Sequence, residues 1–132
     1  MTTELYWLTL TALMTALLWV PYILNRIAVR GLADAMGYPT GEVKPHSPWA
    51  ERALAAHKNA VENLVVFATL VVAANVAGVS SGVTEFAAMA YFFLRLAHYI
   101  CYMFAIPVVR TLTFAGGWAC QVAIAFAILG IV

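Results

Sequence analysis

The stretch Glu51-Arg-Ala-Leu-Ala-Ala-His57-Lys-Asn59-Ala-Val-Glu62-Asn-Leu64, running on into an apolar segment that ends at Ala77, decides how the whole chain is read. From Leu64 to Ala77 the apolar run has only 14 residues, whereas a helix needs about 20 to cross a bilayer. It spans only if the polar residues from Glu51 to Asn63 belong to the same helix. Charged and amide side chains are then carried into the membrane, and the other apolar runs must supply their company.

Working outward, Leu5 to Leu24 contains no charge and only Thr9, Thr11, Thr15 and Pro21 as interruptions. Phe86 to Ile106 is apolar except for Arg95 and His98 and stops at Pro107, and Leu112 to Val132 has Gln121 as its one strongly polar side chain. The chain is therefore read as a single transmembrane domain, residues 1–132, with spans at about 5–24, 51–77, 86–106 and 112–132. Composition agrees: 64% of the 132 residues are hydrophobic and 10% charged, with a mean hydropathy of +0.90. Soluble domains carry roughly 45–50% apolar and about 25% charged residues. The expected fold class is all-α, an integral membrane four-helix bundle.

The segment Gly31 to Trp49, with Gly37, Pro39, Gly41, Pro45 and Pro48, reads as the one sizeable loop. Glu4 precedes the first apolar run while Arg26 and Arg30 follow it, the reverse of a cleavable signal peptide, so this run is expected to be a permanent helix. Arg26, Arg30, Lys44, Arg52 and Lys58 lie in or beside the first loop and Arg110 follows the third span, whereas Val79 to Thr84 has no basic residue. The charge bias places both termini outside the cytoplasm. A bacterial inner membrane is the expected host. A net charge of +1 leaves no basic patch for nucleic acid. Cys101 and Cys120 lie in apolar surroundings and read as buried hydrophobes rather than a disulfide framework. No metal site is expected.

Arg52, Asn59 and Glu62 recur at spacings of seven and three, within about one face of a helix. Arg95, His98, Tyr99 and Tyr102 likewise form a stripe in the third span. An intramembrane charge costs at least ~2.5–3.5 kcal/mol, so such residues face the bundle interior and find partners. Glu62 and Arg95, about 22 Å and about 15 Å from the outer end at ~1.5 Å per residue, are expected to pair. Such a pair can serve only to fix helix register, while Asn59 and Glu62 beside Arg52 suggest a polar cavity opening between helices. Arg110 reads either as a positive-inside anchor or as a cation that stabilises a substrate thiolate, with Tyr102 as a hydrogen-bond donor to the same group. His57 and Lys58 point away from the seam and read as solvated or interfacial, His46 lies in the loop with no special role, and Tyr6, Trp7, Trp19, Tyr22 and Trp49 read as interfacial belt residues.

The pattern Glu51-Arg52 with His57, Asn59 and Glu62, then Arg95, His98 and Tyr102, then Arg110-Thr111, resembles the MAPEG family of membrane proteins in eicosanoid and glutathione metabolism. This family includes microsomal glutathione transferases and the leukotriene and prostaglandin synthases. The resemblance covers nearly the whole chain and implies a homotrimer that binds glutathione as co-substrate between neighbouring subunits. It implies Arg30, Arg52, Asn59, Glu62, Arg95, His98 and Thr111 as the glutathione-binding residues. Arg110 would hold the thiolate and Tyr102 would assist it as the second catalytic residue. There are two departures: Ala55 stands where the eicosanoid enzymes carry a second arginine, and Phe114 where one of them has a tyrosine.

The function so implied is a glutathione-dependent transferase or peroxidase acting on hydrophobic small molecules, either electrophiles or lipid hydroperoxides, delivered from the surrounding membrane lipids. The alternative is a non-catalytic protein of the same fold that binds lipid or a partner protein. A haem bundle using His57 and His98 is disfavoured, because at ~1.5 Å per residue the two lie about 30 Å and about 18 Å from the outer face. A small proton-coupled exporter needs a carboxylate in the first span, and Leu5 to Leu24 has none.

Overall fold

The computed structural model describes residues 1–38 and 44–132, so Pro39 and Gly41 of the expected loop lie outside the described residues. Four stretches are long and apolar enough to cross a membrane: Thr3–Arg30, Pro48–Val76, Gly82–Met103 and Pro107–Ile128. The first is two helices in series, α1 (Thr3–Leu17) and α2 (Val20–Arg30). Pro21 explains the break, since it has no N–H to give the preceding turn and its ring crowds the carbonyl four residues back. Tyr99 donates its hydroxyl to the Leu18 carbonyl at this break, 2.9 Å away, and so ties the interrupted span to its neighbour.

Each span differs from its sequence boundaries in a way that proline or capping explains. A short helix α3 (Leu32–Met36) occupies part of the expected loop, entered through Gly31 at φ 81°. The next helix, α4 (Pro48–Val76), includes the whole polar stretch from Glu51 to Asn63, as the short apolar run required. Its start is fastened to α2 through Asn25, whose Oδ1 accepts from the Ser47 amide and whose Nδ2 donates to the Ser47 hydroxyl. The helix α5 (Gly82–Met103) begins earlier than its apolar run because Ser81 and Thr84 form a reciprocal capping box. The last helix, α6 (Pro107–Ile128), begins at the proline expected only to stop the third span, a residue favoured in a helix's first turn.

Two clusters form the core. Near the loop end of the bundle, Ala50, Ala53, Ala56 and Ala60 of α4 pack against Leu18, Tyr22 and Tyr99. Small residues let helix backbones approach closely where no hydrophobic force drives association. At the other end Phe67 and Tyr91 stack with ring centroids 3.9 Å apart, among Val71, Ala74, Ala88 and Ile124. Glycines 116 and 117 bring α6 against α5, for a Cβ at Gly116 would sit 3.0 Å from Leu94 Cδ1 and one at Gly117 3.4 Å from Arg95 Cδ. Leu13, Val65, Val76, Phe86 and Trp118 are exposed on the outside, as lipid-facing side chains are.

Several single residues depart from their sequence reading. Tyr22 is buried rather than interfacial, sharing a 2.8 Å hydrogen bond with His57 Nδ1, so His57 also faces a helix instead of solvent. Trp7 packs on Phe92 and Phe93. His46 is buried and accepts from Arg26 Nε at 3.1 Å. Glu4, read as a flank, is 2% exposed and accepts from the Thr84 and Ser80 hydroxyls.

Candidate functional site

Where α4, α5 and α6 meet near the loop end, a cavity of about 290 Å³ is lined by Asn59, His98, Tyr102, Arg110, Thr111 and Phe114. Each lining residue is placed by helical phase: His98 and Tyr102 are four apart on α5, while Arg110, Thr111 and Phe114 share the first two turns of α6. Because Pro107 starts α6, Arg110 stands within its first turn. Its guanidinium carbon lies 4.9 Å from the centroid of the Tyr102 ring. This contact holds the cation at the cavity edge.

Arg95 is 3% exposed and lies behind the lining. It donates from Nη2 to Asn59 Oδ1 and sits 5.8 Å from the Phe114 ring centroid. Phe114, where a tyrosine was a possible match, thus roofs Arg95 and flanks His98 at 6.0 Å between centroids. His98 is also 3% exposed and packs edge-on to Tyr102 at 5.7 Å. Two buried polar atoms here, Arg95 Nε and His98 Nδ1, have no hydrogen-bond partner among the described residues. No lining residue is acidic. The cavity offers one cation, the Tyr102 hydroxyl, an amide and an imidazole, with a second cation just beneath, while the Thr111 hydroxyl already donates to the Pro107 carbonyl. Such a set suits a ligand rich in acceptors and carrying negative charge.

Of the residues singled out in the sequence, Asn59, His98, Tyr102, Arg110 and Thr111 come together at this cavity, with Arg95 joined through Asn59. The other three stand apart from its lining. Arg52 donates from Nε to the Met103 carbonyl at 2.9 Å, at the end of α5, and Arg30 donates from Nε to the Lys44 carbonyl at 2.6 Å. Glu62 is exposed on α4, and the expected ion pair with Arg95 does not form, because Asn59 takes the guanidinium instead. The stripe on α5 also divides: Tyr99 turns away from His98 to the Leu18 carbonyl.

Two participants were not singled out. Asn63 donates from Nδ2 to the Asn59 carbonyl at 2.9 Å and to Asn59 Oδ1 at 3.3 Å. Gln121 of α6 donates from Nε2 to the Asn63 carbonyl at 3.1 Å. Asn63 had a usable signal, being four residues beyond Asn59 on a helix. Gln121 was visible as the polar residue of its span, but its partner is a backbone carbonyl, which leaves no mark in a sequence.

A comparison with known protein families matches residues 5–130 to the MAPEG family. The chain belongs to the MAPEG family. No curated protein matches it in sequence. Within this MAPEG chain, the match takes in the four membrane-length helices except Thr3 and Glu4, and every residue that lines the cavity.

Proposed function

We propose that this MAPEG protein is a glutathione-dependent transferase or peroxidase acting on hydrophobic electrophiles or lipid hydroperoxides. The observation that carries this reading is the Arg110 guanidinium held over the Tyr102 ring at the edge of a cavity with no acidic lining residue. The donor set fits glutathione, which brings two carboxylates and a nucleophilic sulfur. The unpartnered Arg95 Nε and His98 Nδ1 supply polar capacity beneath the lining. Bound there, the co-substrate supplies a sulfur nucleophile to an apolar substrate arriving from the bilayer.

The chain's own part is binding and charge placement. A cation beside a thiol favours its ionised form, and Arg110 is the cation at the edge of the cavity. Tyr102, packed under that guanidinium and lining the same cavity, is the hydrogen-bond donor beside it. Asn59, with Arg95 behind it, and Thr111 orient the polar end. Pockets for small ligands usually measure about 300–1,000 Å³, so about 290 Å³ within one chain is small for a tripeptide together with a second substrate. This supports a site completed by a neighbouring subunit, in a homotrimer to which the half-buried Arg30 and Arg52 and the exposed Glu62 contribute. In this reading the loop end faces the cytoplasm and both termini lie outside, in a bacterial inner membrane, as the basic residues of the loop end support.

The test is turnover of glutathione with a chlorodinitrobenzene-type electrophile by the purified protein in lipid nanodiscs. Turnover is expected, and Arg110→Ala is expected to lower it tenfold or more, a loss of ~1.4 kcal/mol in transition-state stabilisation. Absence of both turnover and calorimetric glutathione binding overturns the proposal. In that case lipid co-purifying in the same cavity, undisplaced by glutathione, would assign the protein to the non-catalytic alternative.

A further inference from the structure

Arginine has only donors to give. The Asn59 atom that faces Arg95 Nη2 is therefore the carbonyl oxygen Oδ1, and this chemistry fixes the orientation of the Asn59 amide. The same Oδ1 accepts a second hydrogen bond from Asn63 Nδ2 at 3.3 Å, and Asn63 is itself anchored by donating to the Asn59 carbonyl at 2.9 Å. With both lone-pair directions of Oδ1 used, the Asn59 amide cannot turn over without facing two donors with its own NH₂. Its Nδ2 has no protein partner among the described residues, and Asn59 lines the cavity.

We infer that Asn63 is a positioning residue for this site: together with Arg95 it locks the Asn59 amide so that its NH₂ faces the cavity as a fixed donor, selecting a ligand with a carboxylate or carbonyl oxygen at that point. The inference rests on the glutathione reading for the identity of the ligand, though not for the orientation of the amide. Asn63 does not itself line the cavity and acts only through Asn59. The neighbouring Gln121 bond to the Asn63 carbonyl has a different duty. It ties α6 to α4 and does not reach the Asn59 side chain.

The experiment compares Asn63→Leu, which keeps the side chain's bulk and removes its donor, with Gln121→Met, which removes the tether between helices. Both are measured in nanodiscs with glutathione and a chlorodinitrobenzene-type electrophile. Asn63→Leu is expected to raise KM for glutathione five- to tenfold with kcat within twofold of wild type. Gln121→Met is expected to lower the melting temperature with KM within twofold. Adding Asn63→Leu to Asn59→Leu is expected to raise KM no further. An unchanged KM in Asn63→Leu, or effects of the two leucine substitutions that multiply, overturns the inference.

Should the wild-type protein fail to bind glutathione, the functional reading fails while the positioning role is still read directly. Selective ¹⁵N labelling of asparagine resolves the Asn59 side-chain NH₂ pair. That pair is expected to shift and broaden in Asn63→Leu and to stay unchanged in Gln121→Met. Identical Asn59 signals in wild type and Asn63→Leu overturn the positioning role on their own.

Discussion

Glu4 and Arg95 are both charged, both buried in the bundle at 2% and 3% exposure, and neither forms an ion pair among the described residues. Their surroundings separate them. Glu4 meets the short hydroxyls of Ser80 and Thr84 at the turn into α5, Thr84 being one member of the capping box there. Arg95 meets a single amide oxygen that belongs to a chain of amides and leads to a cavity. Each leaves one buried atom without a partner among the described residues, Glu4 Oε2 and Arg95 Nε, but the hydroxyl bonds to Glu4 Oε1 fasten two elements of the fold. A charge left with a free donor beside an open cavity has capacity for something outside the chain. A charge at membrane depth, as at Arg95, costs at least ~2.5–3.5 kcal/mol, and of the two only Arg95 is joined, through Asn59, to the lining of a cavity.

The sharpest way to break this contrast is to remove each partner and read stability and turnover separately. Glu4→Leu leaves the buried Thr84 hydroxyl without its carboxylate acceptor, a loss of about 1–3 kcal/mol. Thermal unfolding in detergent is expected to show that loss, turnover per folded molecule is expected to match wild type, and Glu4→Gln, which keeps an acceptor, is expected to recover most of the stability. A Glu4→Leu protein as stable as wild type would show that the clamp contributes nothing. At the other end, Arg110→Ala is expected to cost the tenfold in turnover given above with stability changed by no more than about 0.5 kcal/mol, the usual range for a side chain outside the core. If stability falls instead and turnover per folded molecule holds, Arg110 belongs with Glu4 as a structural residue.

The turns that close the two ends extend the comparison. After α4, the Gly78 and Val79 amides return to the Asn75 and Ala74 carbonyls; after α5, the Ala105 and Ile106 amides return to Tyr102 and Cys101 with the same pattern. This is the Schellman closure, which needs a left-handed residue. Gly78 adopts φ 71° without strain, whereas Ala105 is held at φ 58° three residues beyond Tyr102. Gly78→Ala is expected to destabilise by about 1 kcal/mol and Ala105→Gly to stabilise by somewhat less, since glycine relieves the Cβ clash but returns entropy to the unfolded chain. Opposite signs in chemical unfolding would support this. Equal signs would show that the two turns do not differ in strain.

How much of this could be read beforehand follows from what kind of partner each residue has. The four spans were legible because apolar runs of bilayer length have few other uses, and the polar stretch at the start of α4 because the run after it was too short alone. Asn59, His98 and Tyr102 were legible because polar residues inside spans must face inward, Arg110 as a cation at the membrane boundary, and Thr111 only through the family resemblance. Glu62 was misread as the partner of Arg95. At about 100° per residue, Glu62 is turned about 60° from Asn59 on one side and Asn63 about 40° on the other, and the structure turns the Asn63 side inward. Glu4 and Thr84 are eighty positions apart in the chain, and the hydroxyls of Tyr22 and Tyr99 find an imidazole and a backbone carbonyl. Nothing local marks such pairs. They become visible only once the helices are placed.

His46 offers the mildest test of the contrast, because it lies outside the spans and joins them. Its Nε2 accepts from Arg26 Nε at 3.1 Å while its Nδ1 faces Glu51 Oε1 at 3.7 Å, so the neutral ring with its proton on Nδ1 suits both neighbours. Burial lowers its pKa below the ordinary imidazole value, and Arg26 and Arg30 lower it further against the opposing pull of Glu51. A group whose pKa is depressed on folding binds protons better in the unfolded chain, so its contribution is complete above about pH 6.5 and is lost as pH falls below that value. Protonation would put a second donor against Arg26 and loosen the joint between α2 and α4. Melting temperature is therefore expected to fall between pH 7 and pH 5, and His46→Gln, which keeps an acceptor for Arg26 and cannot titrate, is expected to flatten that fall. An equally steep fall in His46→Gln would move the pH dependence to another group. Since His46 touches α2 and α4 but no residue of the cavity lining, turnover per folded molecule in His46→Gln is expected to follow wild type across the same range, as it does for the clamp at Glu4.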